Sequence, residues 1–80
     1  MTARELHAKL QATKLFLHRE IVRNRTQSDP AALTYREIDV RLDMIHEAER
    51  LGVRHLGERQ NRKLMKMIRE LESVRQVALN

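Results

Sequence analysis

A chain of eighty residues can form one small domain, and the absence of Cys excludes disulfides and thiolate metal sites as sources of its stability. Frequent Leu, Ala, Glu and Arg, with one Tyr, one Phe and no Trp, favour helices over strands, and no apolar run approaches the roughly 20 residues that span a bilayer. An all-α, soluble, cytoplasmic protein is therefore predicted, and its net charge of +5 keeps nucleic acid among the candidate partners.

Three helices are predicted in chain order, over about residues 2–25, 30–51 and 57–78. In each of them apolar residues recur at intervals of three and four, which is the period of an α-helix. Short connections between helices favour antiparallel neighbours. The chain is therefore predicted to be a single helical domain, 1–80, built as a long antiparallel helical hairpin followed by a C-terminal helix.

The start of the second helix has two candidate signals. Asp29 followed by Pro30 has the form of a cap with Pro at the first helical position. Thr34 and Glu37 have the spacing of a capping box. The sequence leaves both starts open, and one helical turn at 30–33 leading into the main helix would reconcile them.

The first two helices each carry apolar residues on two opposite sides. One side of the first helix is lined by Ala3, Leu6, Leu10, Leu17 and Ile21, and the other by Ala8, Ala12, Leu15 and Val22. One side of the second helix is lined by Tyr35, Ile38, Leu42 and Ile45, and the other by Leu33, Val40, Met44 and Leu51. A helix in an isolated three-helix bundle needs only one broad apolar face, so the surplus stripes predict a homodimeric helical bundle with twofold symmetry. We expect the core and the dimer seam to be formed by Leu6, Leu10, Leu15, Leu17, Ile21, Ile38, Val40, Leu42, Met44 and Ile45.

The third helix has one apolar arc and an opposite basic arc. The apolar arc contains Leu64, Met67, Ile68, Leu71, Val74 and Ala78. The basic arc contains Arg59, Arg62, Lys63, Lys66 and Arg69. Five cations on one face could neutralise several phosphates, and the alternative is an ordinary solvated outer surface. Because no aromatic residue lies among them, base stacking on single strands is not predicted.

Charge is distributed unevenly among the three segments. Residues 1–29 hold six Lys or Arg against three Asp or Glu, a net of +3. Residues 30–52 hold three against five, a net of −2, and residues 53–80 hold seven against three, a net of +4. An acidic middle helix between two basic helices suits an antiparallel bundle, although each exposed pair contributes only a few tenths of a kcal/mol.

The segment AERLGV, residues 48–53, matches the first half of a helix-turn-helix DNA-binding motif. A recognition helix would need apolar anchors five and eight residues beyond Val53, and those positions hold Glu58 and Asn61. The helix before the turn is also longer than the motif uses. The segment is therefore predicted to be the end of an ordinary helix.

No catalytic or metal-binding constellation is predicted. Asp43, His46 and Glu49 lie one helical turn apart, but a di-metal bundle needs a matching set from another helix, which is missing. Ser28 and Thr34 stand where helix caps are expected, without a base to activate either hydroxyl. Neither an enzyme activity nor a cofactor is expected.

These features favour a non-enzymatic regulatory or adaptor protein that homodimerises and acts by binding another protein. Phe16 and Met65 lie off the main stripes and are candidate contacts for that partner, although Phe16 is equally suited to fill a gap between subunits. The alternative function is binding of DNA or RNA, mainly through backbone contacts, by the basic arc of the third helix.

Overall fold

In a computed structural model of the chain, residues 2–26 and 33–79 are described, apart from the side chains of 25, 26 and 74–79. They form helices α1 (Ala3–Thr26), α2 (Tyr35–Leu51) and α3 (Glu58–Leu79), with a short 3₁₀ turn at Val53–His55 between α2 and α3. No strand occurs in these ranges, so the predicted all-α class with three helices is confirmed. None of the described helices is long and apolar enough to cross a membrane.

The helices form a bundle in which each helix contacts the other two. α2 runs antiparallel to α1, because Glu49 near its end pairs with Lys14 of α1, while the carbonyl of Leu33 before its start accepts a hydrogen bond from Asn24 near the end of α1. α3 then runs back alongside α1, so the chain follows an up-down-up path. Residues on α1 consequently face α2 on one flank and α3 on the other.

The start of α2 is set by Thr34 rather than by Pro30. Thr34 has extended backbone angles, and its hydroxyl oxygen accepts a hydrogen bond from the backbone N–H of Glu37 at 3.2 Å. This bond satisfies one of the free donors of the first helical turn, which is why the helix begins at Tyr35. Of the two starts that the sequence left open, the one at Thr34 is the start of α2, and the other signal, Asp29–Pro30, lies outside the described residues.

The end of α2 lies within the segment AERLGV. Gly52 has a φ of 90°, and its N–H donates to the carbonyls of Ala48 at 3.0 Å and Glu49 at 3.2 Å. Only Gly adopts such a φ without strain, so this residue terminates the helix and redirects the chain into the 3₁₀ turn. The segment closes a five-turn helix, as the sequence predicted.

The core is made by all three helices of one chain. Its buried apolar members are Leu6, Leu10, Leu17, Leu33, Ile38, Leu42, Ile45, Ala48, Leu64, Met67, Ile68 and Leu71. Thr13 interrupts the buried side of α1 with a polar group, but its hydroxyl donates to the carbonyl of Lys9 at 2.7 Å. A buried hydroxyl with a hydrogen-bond partner costs little, so the core tolerates Thr13.

Candidate interaction surfaces

The residues expected in the seam separate into three groups by burial. Six are buried inside the single chain: Leu6, Leu10, Leu17, Ile38, Leu42 and Ile45. Ile21 and Met44 are partly buried and pack against that core. Leu15 and Val40 remain about half exposed. Most of the inner stripes of α1 and α2 are thus buried within the chain. Leu15 and Val40 of the outer stripes stay exposed, whereas Leu33 and Met44, expected on the outer stripe of α2, are buried and partly buried.

Among the described side chains, the large apolar ones that stay exposed lie on α1 and α2, and one of them, Leu51, is at the end of α2. The exposed fractions of the others are 53% for Leu15, 60% for Val22, 50% for Tyr35 and 51% for Val40. By helical periodicity Leu15, Val22 and Tyr35 lie on the surface that α1 and α2 share, and Val40 lies at its edge. We call this region the α1–α2 surface. Tyr35 was expected to extend the buried side of α2, but it is the first residue of the helix and remains half exposed.

Charges of opposite sign lie on the two halves of the α1–α2 surface. α1 exposes Arg4 and Arg19, whereas α2 exposes Asp39 and Asp43. None of these four side chains has an ion-pair partner within the described part of the chain. Arg36 is also exposed on this part of α2, one turn before Asp39, so the α2 half carries charges of both signs. Unpaired cations on the α1 half and unpaired carboxylates on the α2 half are both available for an external partner.

Phe16 and Met65 both lie where α1 meets α3. Each is partly buried and packs against the core. Phe16 lines a cavity of about 60 Å³ together with Ile68 and Leu71, and Met65 lines a cavity of about 370 Å³ together with Leu6 and Asn61. These two candidate partner contacts therefore share one side of the bundle, which is distinct from the α1–α2 surface.

The basic arc of α3 is exposed, and only one of its five cations has an ion-pair partner among the described residues. All three carboxylates of α3 are engaged. Glu58 pairs with Arg62 at 3.0 Å within the helix, whereas Glu70 pairs with Arg41 of α2 at 3.9 Å. Glu72 pairs with Lys9 of α1 at 3.1 Å. In the described residues this leaves four cations of the arc without an ion-pair partner: Arg59, Lys63, Lys66 and Arg69.

A second basic region, which the sequence did not indicate, lies at the end of the bundle. A cavity of about 500 Å³ there is lined by Arg4 and His7 of α1 and by Arg54 and His55 of the 3₁₀ turn. These residues are about fifty positions apart in the chain, so no local pattern joins them. The left-handed turn at Gly52 brings the two pairs together.

Glu49, the carboxylate that lines this cavity, is held by α1. Lys14 donates to its two oxygens at 3.1 and 3.0 Å, and Gln11 donates at 3.1 Å. Burial by itself raises the pKa of Glu49, but the hydrogen bonds from Lys14 and Gln11, with the charges of Lys14 and His46, outweigh burial and leave the pKa below its ordinary value of 4.5. Glu49 is therefore ionised at neutral pH and joins α1 to α2.

The metal-ligand groups and hydroxyl nucleophiles considered in the sequence can be compared with their positions in the structure. In residues 2–26 and 33–79, no three His, Asp or Glu side chains are grouped so that they could hold a metal ion. Thr34 is occupied as a helix cap, and Ser28 lies outside the described residues. Comparisons of the chain with protein-family models, with curated proteins and with solved structures found no match.

Proposed function

We propose that this chain is a small non-enzymatic regulatory or adaptor protein that assembles as a homodimer and acts by binding another protein. The observation that carries the proposal is the α1–α2 surface, where half-exposed apolar side chains lie between unpaired charges of opposite sign. Protein interfaces have apolar centres and charged rims, and complementary charges fix their orientation. A second copy of the same chain supplies both features.

A twofold axis across the α1–α2 surface would set α1 of one copy against α2 of the other. Arg19 of α1 would then face Asp39 and Asp43 of the second copy, and the symmetric contact would repeat this pairing, whereas Arg4 would lie at the other end of the interface, level with the end of α2. Leu15 would be covered near the centre of the interface. Packing α1 against α1 would instead oppose arginines, so charge favours the crossed pairing and a four-helix core.

Charge reversal tests the crossed pairing, and the test does not depend on which individual side chains touch across the interface. The variant Arg4→Glu/Arg19→Glu makes both halves of the α1–α2 surface acidic, and Asp39→Lys/Asp43→Lys makes both halves basic. All four side chains are exposed and unpaired in one chain, so each variant should keep its helical content. We expect sedimentation to find dimers for the natural chain, single chains for each variant, and dimers again for an equimolar mixture of the two variants.

Three results would count against this assembly. A natural chain that sediments as a monomer at tens of micromolar, on the scale of weak interfaces, removes the need for a second copy. Variants that dimerise as well as the natural chain locate the interface elsewhere. A mixture that stays monomeric contradicts the crossed pairing, because only that mixture restores opposite charges at both contacts.

The dimer leaves the side of the bundle with Phe16 and Met65 open for the protein partner. Met65→Glu adds a charge to a partly buried site of that side and should abolish recovery of a stoichiometric partner when the chain is purified from its source cells. The reversal Lys63→Glu/Lys66→Glu on the basic arc serves as a control and should leave recovery unchanged. A partner lost equally with both variants, or no stoichiometric partner, would refute this part of the proposal.

A further inference from the structure

The basic arc of α3 differs from an ordinary solvated helix face in how few of its cations are paired with carboxylates of the same helix. A surface helix usually neutralises part of its own charge through pairs one turn apart. Here two of the three carboxylates of α3 form ion pairs with Lys9 of α1 and Arg41 of α2 instead of with cations of α3. The packing of the bundle therefore pairs two carboxylates of α3 with cations of the other helices, and four cations of its outer face keep no ion-pair partner among the described residues.

We infer that this arc is a binding surface for the phosphate backbone of duplex nucleic acid, a function that goes beyond the proposed protein binding and does not depend on it. Its four unpaired cations extend from Arg59 to Arg69, on the order of 15 Å at 1.5 Å per residue. One strand of B-DNA presents about four phosphates over such a length, at 3.4 Å each. The number of cations thus matches the number of phosphates within reach.

The composition of the arc distinguishes nucleic acid from other anionic partners. Between Arg59 and Arg69 the exposed positions carry no apolar or aromatic side chain. A protein interface needs an apolar centre, and an amphipathic helix that enters a membrane needs a large apolar residue beside its cations. Single strands bind through stacking on aromatics, which the arc lacks. A duplex backbone needs only regularly spaced cations, so binding independent of base sequence is expected.

Fluorescence anisotropy with a labelled DNA duplex of arbitrary sequence tests this inference. Four phosphate contacts give a slope of about −3.6 for the logarithm of the binding constant against the logarithm of salt, so a fourfold rise in salt should weaken binding about 150-fold. Lys63→Gln/Lys66→Gln should reduce the slope to about −1.8 and weaken binding about tenfold or more in low salt. Arg36→Gln/Arg50→Gln is the matched control, because it also lowers the net charge from +5 to +3 but acts on exposed residues of α2 that belong to neither the arc nor the charge pairs of the proposed dimer contact.

The control should bind the duplex within about twofold of the natural chain, since it keeps every phosphate contact. Equal weakening in both variants would mean that overall charge, and not the arc, attracts DNA, and would overturn the inference. Binding that does not change with salt would overturn it too, as would equally tight binding of poly-glutamate. Sedimentation of the same samples reports the dimer separately, so loss of one function is distinguishable from loss of the other.

Discussion

Truncation of Leu17 to Ala tests whether one chain holds its own core. Leu17 is completely buried between the helices, whereas Leu15 on the same helix is 53% exposed. Leu17→Ala and Leu15→Ala each remove the same three side-chain carbon atoms. Both positions lie in the middle of α1, so the change in helix propensity is also the same. The difference between their unfolding free energies therefore measures burial alone.

The expected magnitudes differ enough to be resolved. Leu→Ala at a buried site costs about 2.7–5 kcal/mol, while total stability at about 0.05–0.15 kcal/mol per residue amounts to roughly 4–12 kcal/mol for this chain. With an unfolding entropy of about 2.1 cal/mol/K per residue, a loss of about 3 kcal/mol lowers Tm by roughly 18 °C. Leu15→Ala removes a side chain that is already half hydrated, so it should cost under about 1 kcal/mol.

The assay is urea and thermal unfolding followed by far-UV circular dichroism over a wide range of protein concentration. Leu17→Ala should be destabilised at every concentration, because its neighbours belong to the same chain. Leu15→Ala should be about as stable as the natural chain at high dilution and less stable than it at high concentration, because the proposed partner surface of Leu15 belongs to a second chain. Equal losses at high dilution, or a Leu17→Ala chain within about 1 kcal/mol of the natural one, would refute this assignment of the core.

Three further substitutions probe local features. Thr34→Ala removes the cap of α2 and should cost about 1 kcal/mol in urea unfolding, with Thr34→Ser close to the natural chain; an unchanged midpoint would mean that another group caps the helix. Gly52→Ala forces a side chain into a φ of 90°, with its Cβ 3.1 Å from Cδ2 of His55, and should cost about 1–3 kcal/mol, whereas a neutral result would show that the turn relaxes freely. The pKa of Glu49 is lowered by folding, so its contribution is complete above its ordinary value of 4.5 and is lost as pH falls through the lowered value. Glu49→Gln should therefore cost under about 1 kcal/mol near neutral pH and nothing in acid, and a difference that persists in acid would exclude ionisation as its cause.

The helices themselves follow from local pattern. Their apolar residues repeat with the helical period, and helix boundaries depend on caps that neighbouring residues supply. The boundary that differs most from its predicted position, the start of α2, had two competing caps in the sequence. The structure shows Thr34 in use, because its hydroxyl reaches the N–H of Glu37.

The interaction surfaces were only partly predictable because they depend on long-range packing. The sequence indicated two apolar stripes on α1 but not which stripe α3 would cover, so Leu10 and Leu15 could not be told apart. Similarly, the basic arc was visible in the sequence, whereas the pairing of Glu72 with Lys9, sixty-three residues away, was not. Such pairings decide which charges remain available, and no local periodicity encodes them.

The placement of α3 has a consequence for any assembly of this chain. α3 lies on the side of the bundle away from the α1–α2 surface. Two chains joined through that surface would therefore carry their basic arcs on opposite outer sides of the dimer. Such a particle could not clasp one straight DNA segment with both helices. It would instead tether two separate segments, and a dimeric chain that binds DNA should then draw duplexes together, which light scattering of long DNA would reveal.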